Sequence, residues 1–298
     1  MKRADVKIGF LCNNRCKFCV QGEKRKIFGN KSKEEIEKNL KEAKKEKIKG
    51  IVFTGGEPTL HQNFLELVSY AKLLGFKIIQ IQTNGRMFAY KDFCQKTIRA
   101  GANEFSPALH GPNPKIHDFL TSSPGSFNQT TQGIKNLKEL GQRVLTNTVI
   151  TTRNYKYLPQ LAGLLVNLEV DQFQFAFPHI AGRAWENRSW LIPKKTQVIS
   201  YVKKGLDIGI KAGKIVMTEA IPYCLMQDYE KYIAEEIIPH TKVYDADKMI
   251  EDYTIYRKGE GKAKNKECQK CKYYRTCEGP WKEYPKIFGW KEFKPVKF

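Results

Sequence analysis

Strand-like and helix-like segments alternate along most of this chain, and this alternation limits its fold more than any single motif. Short apolar runs typical of strands occur near residues 5–11, 50–54, 77–82, 103–107, 143–150 and 171–177. Amphipathic helical patterns fall near residues 33–47, 61–74, 88–99, 127–140, 155–167 and 194–209. Strands that alternate with helices pair in parallel, and short right-handed crossovers wrap such a sheet into a barrel or part of one. We therefore predict an α/β fold in which six βα units form a parallel sheet that wraps into a barrel or part of one.

Three cysteines follow the first predicted strand. Cys12, Cys16 and Cys19 are spaced CxxxCxxC. Three soft thiolates on one loop suit iron–sulfur ligation, and three protein ligands leave one iron of a four-iron cluster open. A tetrahedral zinc site would usually take a fourth ligand from the same local group. The spacing therefore favours a [4Fe–4S] cluster with an iron that is free to bind a substrate or cofactor.

A second motif, Gly55-Gly56-Glu57-Pro58, follows the next predicted strand, and the aromatic Phe18 precedes the last cysteine of the first motif. In this order the two motifs resemble the radical S-adenosylmethionine (SAM) superfamily. The resemblance implies that the fold is a partial (β/α)6 TIM barrel. It implies that the open iron chelates the methionyl amino and carboxylate groups of SAM. It also implies that Phe18 lies near the adenine and that the glycine motif meets the methionyl amino group. An electron from the reduced cluster would then release a 5′-deoxyadenosyl radical that abstracts hydrogen from a substrate carbon.

Polar residues also occur at the ends of later strands, where barrel enzymes carry their chemistry. Thr83 and Asn84 end the third predicted strand, and Ser106 lies at the end of the fourth. Asn147 lies on the fifth strand and Phe177 at the end of the sixth. The resemblance to the radical SAM superfamily implies that these residues contact SAM, the last two on its adenine side. A simple Asn-Gly turn and a core position for the phenylalanine are the alternatives.

Three further residues are candidates for catalysis. His110 is either a general base or a histidine that satisfies a loop carbonyl. Glu219 and Tyr223 precede Cys224 near the predicted opening of the barrel, where either could contact substrate or move a proton. Ordinary loop structure is the alternative for both. Residues 117–125 are predicted to be a long polar loop, which at this end of a barrel is usually functional or mobile.

A second cysteine group lies near the C-terminus. Cys268, Cys271 and Cys277 form CxxCxxxxxC, and Cys224 is available as a distant fourth ligand. Four cysteines could hold a structural zinc ion. Behind a radical SAM barrel, however, this spacing resembles the SPASM or twitch extension, which implies an auxiliary [4Fe–4S] cluster. Trp281 stands where a full SPASM pattern would have another cysteine, so we expect one auxiliary cluster.

Length and composition fit one main domain with a small addition. The chain has 298 residues, of which 41% are apolar, and this is enough to bury a sizeable core. We place the barrel in residues 1–212 and the cysteine-rich extension with the C-terminal tail in residues 213–298. An apolar run of membrane-spanning length and a signal-peptide pattern are both absent from the sequence. We therefore expect a cytoplasmic protein with no membrane partner.

The formal net charge of +21 bears on the partners. It favours an acidic or phosphorylated substrate, or nucleic acid, although a lysine-rich solvated surface gives the same charge. Basic and aromatic residues alternate in the tail, residues 282–297, and we expect them to pack on the barrel rather than to stack on bases.

Three functions remain open at this point. The first is a radical SAM enzyme that oxidises or cross-links a peptide or protein side chain, or a small biosynthetic intermediate. It would need a one-electron reductant of the flavodoxin or ferredoxin type. The second is a radical SAM enzyme that modifies tRNA. The third is a non-enzymatic iron–sulfur or zinc-binding adaptor that docks nucleic acid.

Overall fold

The computed structural model describes residues 2–297 and confirms the α/β fold. Its strands are β1 (Arg3–Gly9), β2 (Gly50–Gly55), β3 (Ile78–Thr83), β4 (Glu104–Pro107), β5 (Arg143–Val149), β6 (Gln172–Ala176), β7 (Ile215–Glu219), β8 (Thr241–Tyr244) and β9 (Met249–Ile250). They form one sheet in the order β7-β6-β5-β4-β3-β2-β1-β8-β9. All neighbours are parallel except β8 and β9, which are antiparallel. Within residues 2–297 the sheet does not close, because β7 and β9 are its two edges, and the fold is a partial TIM barrel.

Helices connect the strands on the outside of the sheet. They are α1 (Lys24–Ile27), α2 (Lys33–Lys45), α3 (Phe64–Leu73), α4 (Lys91–Ala100), α5 (Pro114–Thr121), α6 (Ser126–Glu139), α7 (Leu158–Asn167), α8 (Arg183–Glu186), α9 (Arg188–Leu191), α10 (Lys195–Lys211), α11 (Tyr253–Tyr256) and α12 (Tyr284–Phe288). All six predicted helices are present. In the described part of the chain, no helix is both long enough and apolar enough to cross a bilayer.

The sheet extends beyond the six predicted strands at both sides. β7 pairs with β6, and β8 pairs in parallel with β1 through the register Arg3 to Thr241. An isolated bridge between Thr218 and Ile233 covers part of the β7 edge. The sheet therefore includes strands from both sides of the predicted boundary at residue 212. The outer limits of the two predicted domains, residues 1 and 298, lie outside the described residues.

Close packing of α10 on β6 buries the aromatic face of that strand. Phe173 and Phe175 are fully buried, as their alternation predicts. A Cβ atom on Gly205 would lie 2.6 Å from the Phe175 ring, and one on Gly209 would lie 2.5 Å from the Phe173 ring. Glycine is thus required on this face of α10 because the two aromatic rings occupy the space of a side chain.

The predicted loop at residues 117–125 is instead largely helix, since α5 covers its first half. Asn113 caps this helix and Pro114 occupies its first turn, which is a favourable position for proline. The Asp118 carboxylate accepts a hydrogen bond from the Phe127 amide at 2.7 Å and so fixes the start of α6. The Asp118 side chain therefore caps α6, and this part of the chain is not a mobile loop.

The tail packs on the barrel, as expected. Tyr284 is fully buried, and its ring lies 5.4 Å from Phe177 and 5.8 Å from Phe293. Its hydroxyl accepts a hydrogen bond from the Lys195 amide at the start of α10. These buried rings are not available for stacking on bases.

Candidate functional site

The cysteine loop, residues 12–19, continues directly from β1 and docks on the end of α5. The amide of Arg15 donates to the carbonyl of Thr121 at 2.9 Å, and the amide of Lys17 donates to that of Leu120 at 2.9 Å. The Asn187 side chain donates to the Lys17 carbonyl at 2.8 Å. The loop is therefore held on its outer side by main-chain and side-chain hydrogen bonds.

Three arginines from separate elements bind the carbonyls of residues 12–15, and we call them the arginine clamp. Arg25 of α1 donates to two of these carbonyls at 2.7 Å. Arg86, from the turn after β3, donates to one at 2.7 Å, and Arg183 of α8 donates to one at 2.6 Å. The three arginines hold the loop from three sides. Their hydrogen bonds are charge-assisted and therefore stronger than hydrogen bonds between neutral groups.

The three thiols of this loop are free, and their charges affect one another. Burial raises the pKa of Cys16, and the charges of Cys19 and Cys12 raise it further. Burial also raises the pKa of the other two thiols, whereas Arg25 lowers all three pKa values. The Asn14 amide donates to Cys12 Sγ at 3.4 Å. Three thiols of one loop that interact with each other and with the Arg25 cation are donors of the type that holds an iron–sulfur cluster.

The glycine motif lies against the cysteine loop. The amide of Gly56 donates to the carbonyl of Gly9 at 2.8 Å, and the amide of Glu57 donates to that of Leu11 at 2.7 Å. A Cβ atom on Gly56 would lie 2.2 Å from the Leu11 carbonyl oxygen. Gly55 has φ +119°, in the region that L side chains rarely adopt. Both glycines are therefore required for the close approach of the two motifs.

The Glu57 carboxylate is buried and binds protein donors. It accepts hydrogen bonds from the amide and hydroxyl of Thr59, at 3.2 and 2.6 Å, at the start of the turn Pro58–Leu60. It also accepts from the Thr83 hydroxyl at 2.7 Å and the Asn84 amide at 2.6 Å. Burial raises its pKa. The resemblance implied that this motif meets the methionyl amino group, but here the carboxylate joins the ends of β2 and β3.

One of the predicted SAM-contacting residues, Asn84, contacts the cysteine loop, and two others lie on β4 and β5. The Asn84 side chain donates to Asn13 Oδ1 at 2.6 Å and lies 3.9 Å from Cys12 Sγ. Ser106 is half-buried on β4 beside β3. On β5, the Asn147 Oδ1 atom is buried and has no hydrogen-bond partner among the described residues. These groups leave polar atoms at the carboxyl edge of the sheet.

Phe177, predicted on the adenine side, lies in the core instead. It is almost fully buried, and the Lys195 Nζ atom lies 3.1 Å from its ring centroid. The Lys195 side chain is itself fully buried and donates to the Ala220 carbonyl at 2.7 Å. Phe177 packs between this lysine and Tyr284, which is a core position of the kind that the sequence left open as the alternative.

His110 is placed as a buried structural histidine. Its Nδ1 accepts from the Val149 amide at 3.2 Å, and its ring contacts Phe18 in an edge-on geometry at 4.6 Å. Burial, together with the charge of His117, lowers its pKa well below the usual range. The side chain thus supports the ring of Phe18, and its burial argues against a role as general base.

Glu219 ends β7 within a buried polar group. Burial, and then the charge of Glu235, raises its pKa, and Gln174 donates to its carboxylate. Glu235 Oε1 accepts from the Ala220 amide at 2.8 Å and from Lys262 at 3.2 Å, while its Oε2 is buried without a partner among residues 2–297. An unpaired buried carboxylate oxygen of this kind is able to accept a further donor.

Tyr223 is buried four residues after Glu219. Its ring packs against Tyr273 at 4.8 Å. Burial raises its pKa, with a further contribution from Glu236. The position is next to the C-terminal cysteine group rather than in an open loop.

The C-terminal cysteines lie around one cavity. Its lining includes Cys224, Cys268, Cys271 and Cys277. Burial, and then the charges of the other three thiols, raises the pKa of Cys224 to about 12. The amides of Gly279 and Val296 donate to two of the sulfurs at 3.4 Å. The fold thus brings the distant Cys224 to the CxxCxxxxxC segment, and amide donors on sulfur are typical of iron–sulfur environments.

A buried ion pair lies beside this group. Arg257, in the turn that follows α11, donates to both oxygens of Glu278 at 2.6 and 2.8 Å, and both side chains are almost fully buried. Glu278 directly follows Cys277, so the pair ties the cysteine segment to the turn that follows α11. Neither this pair nor the arginine clamp was predicted, because isolated charged residues carry no periodic signal in a sequence.

A partial barrel with three clustered cysteines after its first strand and a glycine motif after its second is the arrangement of the radical SAM class. The chain belongs to the Radical SAM superfamily, whose family model matches residues 6–165. Two curated relatives are an AdoMet-dependent heme synthase of Oleidesulfovibrio alaskensis, 34% identical over 119 residues, and a probable GTP 3′,8-cyclase of Saccharolobus islandicus, 31% identical over 179 residues. The matches cover 40% and 59% of this chain, but the chain spans only 30% and 57% of these relatives' own length.

Solved structures show the same fold over more of the chain. Streptococcus suis SuiB bound to S-adenosylmethionine has a TM-score of 0.68 at 17% identity, covering 99% of this chain and 75% of that one. Native anSMEcpe with bound AdoMet has a TM-score of 0.66 at 16% identity, covering 94% of this chain and 89% of that one. These likenesses extend the fold assignment into the C-terminal part.

Proposed function

We propose that this protein is a radical SAM enzyme that uses the cysteine loop to bind a catalytic [4Fe–4S] cluster and SAM. The observation that carries the proposal is the convergence of Cys12, Cys16 and Cys19 beside the glycine motif at the carboxyl edge of the sheet. When bound, the reduced cluster supplies the electron that cleaves SAM to a 5′-deoxyadenosyl radical, which abstracts hydrogen from the substrate.

The protein residues position the cofactor and exclude water. Because protein donors occupy the Glu57 carboxylate, we assign the contact with the methionyl amino group to the main chain of Gly55 and Gly56. Phe18, held by the His110 ring, supplies the apolar surface for the adenine. Ser106 and the unpaired Asn147 Oδ1 supply polar contacts from β4 and β5. A fixed environment of this type orients SAM and keeps the radical away from solvent.

We further propose that Cys224, Cys268, Cys271 and Cys277 hold one auxiliary [4Fe–4S] cluster in a C-terminal unit, residues 213–298, behind a barrel unit, residues 1–212. The shared cavity of the four thiols and the two amide donors support this assignment. Four protein thiolates leave no iron open for substrate, so the cluster would serve electron transfer or stability. A zinc ion in the same site is the alternative.

The substrate that we propose is a peptide or protein side chain, or a small biosynthetic intermediate, which is oxidised or cross-linked. SuiB has been solved with its precursor peptide SuiA and anSMEcpe with a peptide, and both share this fold. Glu219 and the unpaired Glu235 oxygen lie at the carboxyl edge of β7 and are suited to bind a donor group of the substrate.

The test is metal and sulfide analysis of anaerobically reconstituted protein, with EPR of the dithionite-reduced form before and after SAM is added. Roughly eight irons per chain and one signal that shifts with SAM are expected. Alanine at all three cysteines of the loop should abolish 5′-deoxyadenosine formation and leave the C-terminal metal in place. If this triple variant still produced 5′-deoxyadenosine, the proposed function would be wrong, and about four irons with bound zinc would make the C-terminal site structural.

Modification of tRNA is a second candidate, because the net charge of +21 favours a polyanionic substrate. RNA that copurifies with the protein and dissociates steeply with added salt would support it. The adaptor hypothesis requires that no 5′-deoxyadenosine forms.

A further inference from the structure

A surface of exposed and partly exposed aromatic rings and cations lies beside the cysteine loop. Phe119 of α5 is 41% exposed, and its ring lies 4.9 Å from the Lys17 ammonium and 5.2 Å from the Arg153 guanidinium. The Trp190 ring lies 6.1 Å from that of Phe119 and 6.0 Å from Arg153. We call these four residues the aromatic-cation patch.

The patch continues onto the two short helices α8 and α9. Trp185 is 40% exposed, with the Arg188 guanidinium 4.2 Å from its ring. Arg183 and Arg188 outnumber Glu186, the single acid of residues 183–191. Exposed aromatic rings together with arginine are enriched in the centres of protein–protein interfaces, whereas isolated exposed apolar residues carry no such meaning.

The position of the patch indicates what it binds. Lys17 stands between Cys16 and Cys19, and its main chain is bound by Leu120 and Asn187. The patch is thus continuous with the loop that would hold the catalytic cluster, and consecutive Cα atoms are only about 3.8 Å apart. A partner seated here would contact the segment that carries two of the three cysteines of the loop.

We propose that the aromatic-cation patch is the docking surface for a small acidic one-electron carrier protein. The inference rests on the proposed function, since SAM cleavage consumes one electron. In each docking event one electron passes from the reduced cofactor of the carrier to the oxidised cluster; the carrier is oxidised by one electron, and no proton or other atom is transferred. The cations steer the acidic carrier, and the exposed rings exclude water at the centre of the contact.

The variant that tests this is Arg153→Glu/Arg188→Glu, which leaves the cysteine loop and the arginine clamp intact. The matched control is Lys38→Glu/Lys45→Glu on α2, where both lysines are exposed and the change in net charge is the same. Electrons are supplied in parallel by dithionite and by two acidic carriers, a flavodoxin and a ferredoxin, each with its reductase. The readouts are the carrier's binding affinity, the EPR amplitude of the reduced cluster and the rate of 5′-deoxyadenosine formation.

With the better carrier, the patch variant should lose about tenfold or more in affinity and in the rate of cluster reduction, and added salt should weaken the wild type in the same way. With dithionite, the patch variant and the wild type should be equally active. The control variant should behave as the wild type with every reductant.

Equal reduction of the patch variant and the wild type by the carriers would overturn the inference, as would failure of both carriers to bind or reduce the wild type. Loss of RNA binding in the patch variant, with carrier reduction intact, would identify the patch as a nucleic-acid surface and refute the assignment. If dithionite supports no SAM cleavage in the wild type, the proposed function itself has failed.

Discussion

Removing one member of the buried Arg257–Glu278 pair should destabilise the C-terminal part sharply. In Arg257→Met the Glu278 carboxylate stays buried without its two charge-assisted hydrogen bonds at 2.6 and 2.8 Å. Because both side chains are nearly inaccessible to water, solvent cannot compensate. Breaking a buried pair in this way costs about 3–5 kcal/mol, which corresponds to a fall in melting temperature of the order of 10 °C.

The assay is thermal unfolding of the anaerobically prepared protein by circular dichroism, with iron content measured in parallel. Since Glu278 follows Cys277, Arg257→Met should also lower the metal content of the C-terminal site. The matched control is Arg257→Met/Glu278→Leu, which removes both charges and should recover much of the lost stability. A fall of less than about 2 °C in the single variant would refute the reasoning, as would a double variant no more stable than the single one.

Three further predictions concern other parts of the site. Cys224→Ala should reduce the amount of metal bound at the C-terminal site. The control is Cys94→Ala, which changes a cysteine outside both groups and should leave the metal content unchanged. Equal metal content in the two variants would exclude Cys224 as a ligand. Gly56→Ala should prevent cluster loading, because the added Cβ atom would lie 2.2 Å from the Leu11 carbonyl oxygen. The control is Gly163→Ala, where no atom lies within 4 Å of the added Cβ, and this variant should be more stable than the wild type by about 0.5–1 kcal/mol. Normal iron content in the Gly56 variant would contradict the prediction. Burial lowers the pKa of His117 to about 4, so the unfolded chain binds more protons than the folded one between pH 6.5 and 4. The free energy of unfolding should therefore fall by about 3 kcal/mol as the pH falls through this window, and His117→Gln should show a smaller slope in urea titrations at several pH values.

Much of the barrel could be predicted because each strand and helix carries its own periodic signal. The six predicted strands and helices all appear, and the cysteines of the loop lie at a strand end as expected. β8 was missed because it is short and its parallel partner, β1, is distant in sequence, and β9 was missed because it has only two residues. α5 was missed although Asn113 and Pro114 are helix-start signals, since the polar residues after them suggested a loop.

The contacts that individual side chains make after folding were harder to predict than the helices and strands that carry them. Nothing local in the sequence shows that Lys195 would be buried against Phe177, or that protein donors would occupy the Glu57 carboxylate. The same holds for Arg25, Arg86 and Arg183, which come from three elements and meet only after folding. Their function depends on three-dimensional neighbours, which composition and spacing do not specify.

The pairing of β1 with β8 has a consequence for synthesis of the chain. One edge of β1, the strand that leads into the cysteine loop, remains unpaired until Thr241 and the residues after it have been translated. At about 5–20 residues per second, this leaves the edge open for roughly 10–50 s after β1 itself is made. During that time the nascent chain presents an unprotected strand next to three free thiols, so protection by a chaperone or early insertion of the metal would matter most for this segment.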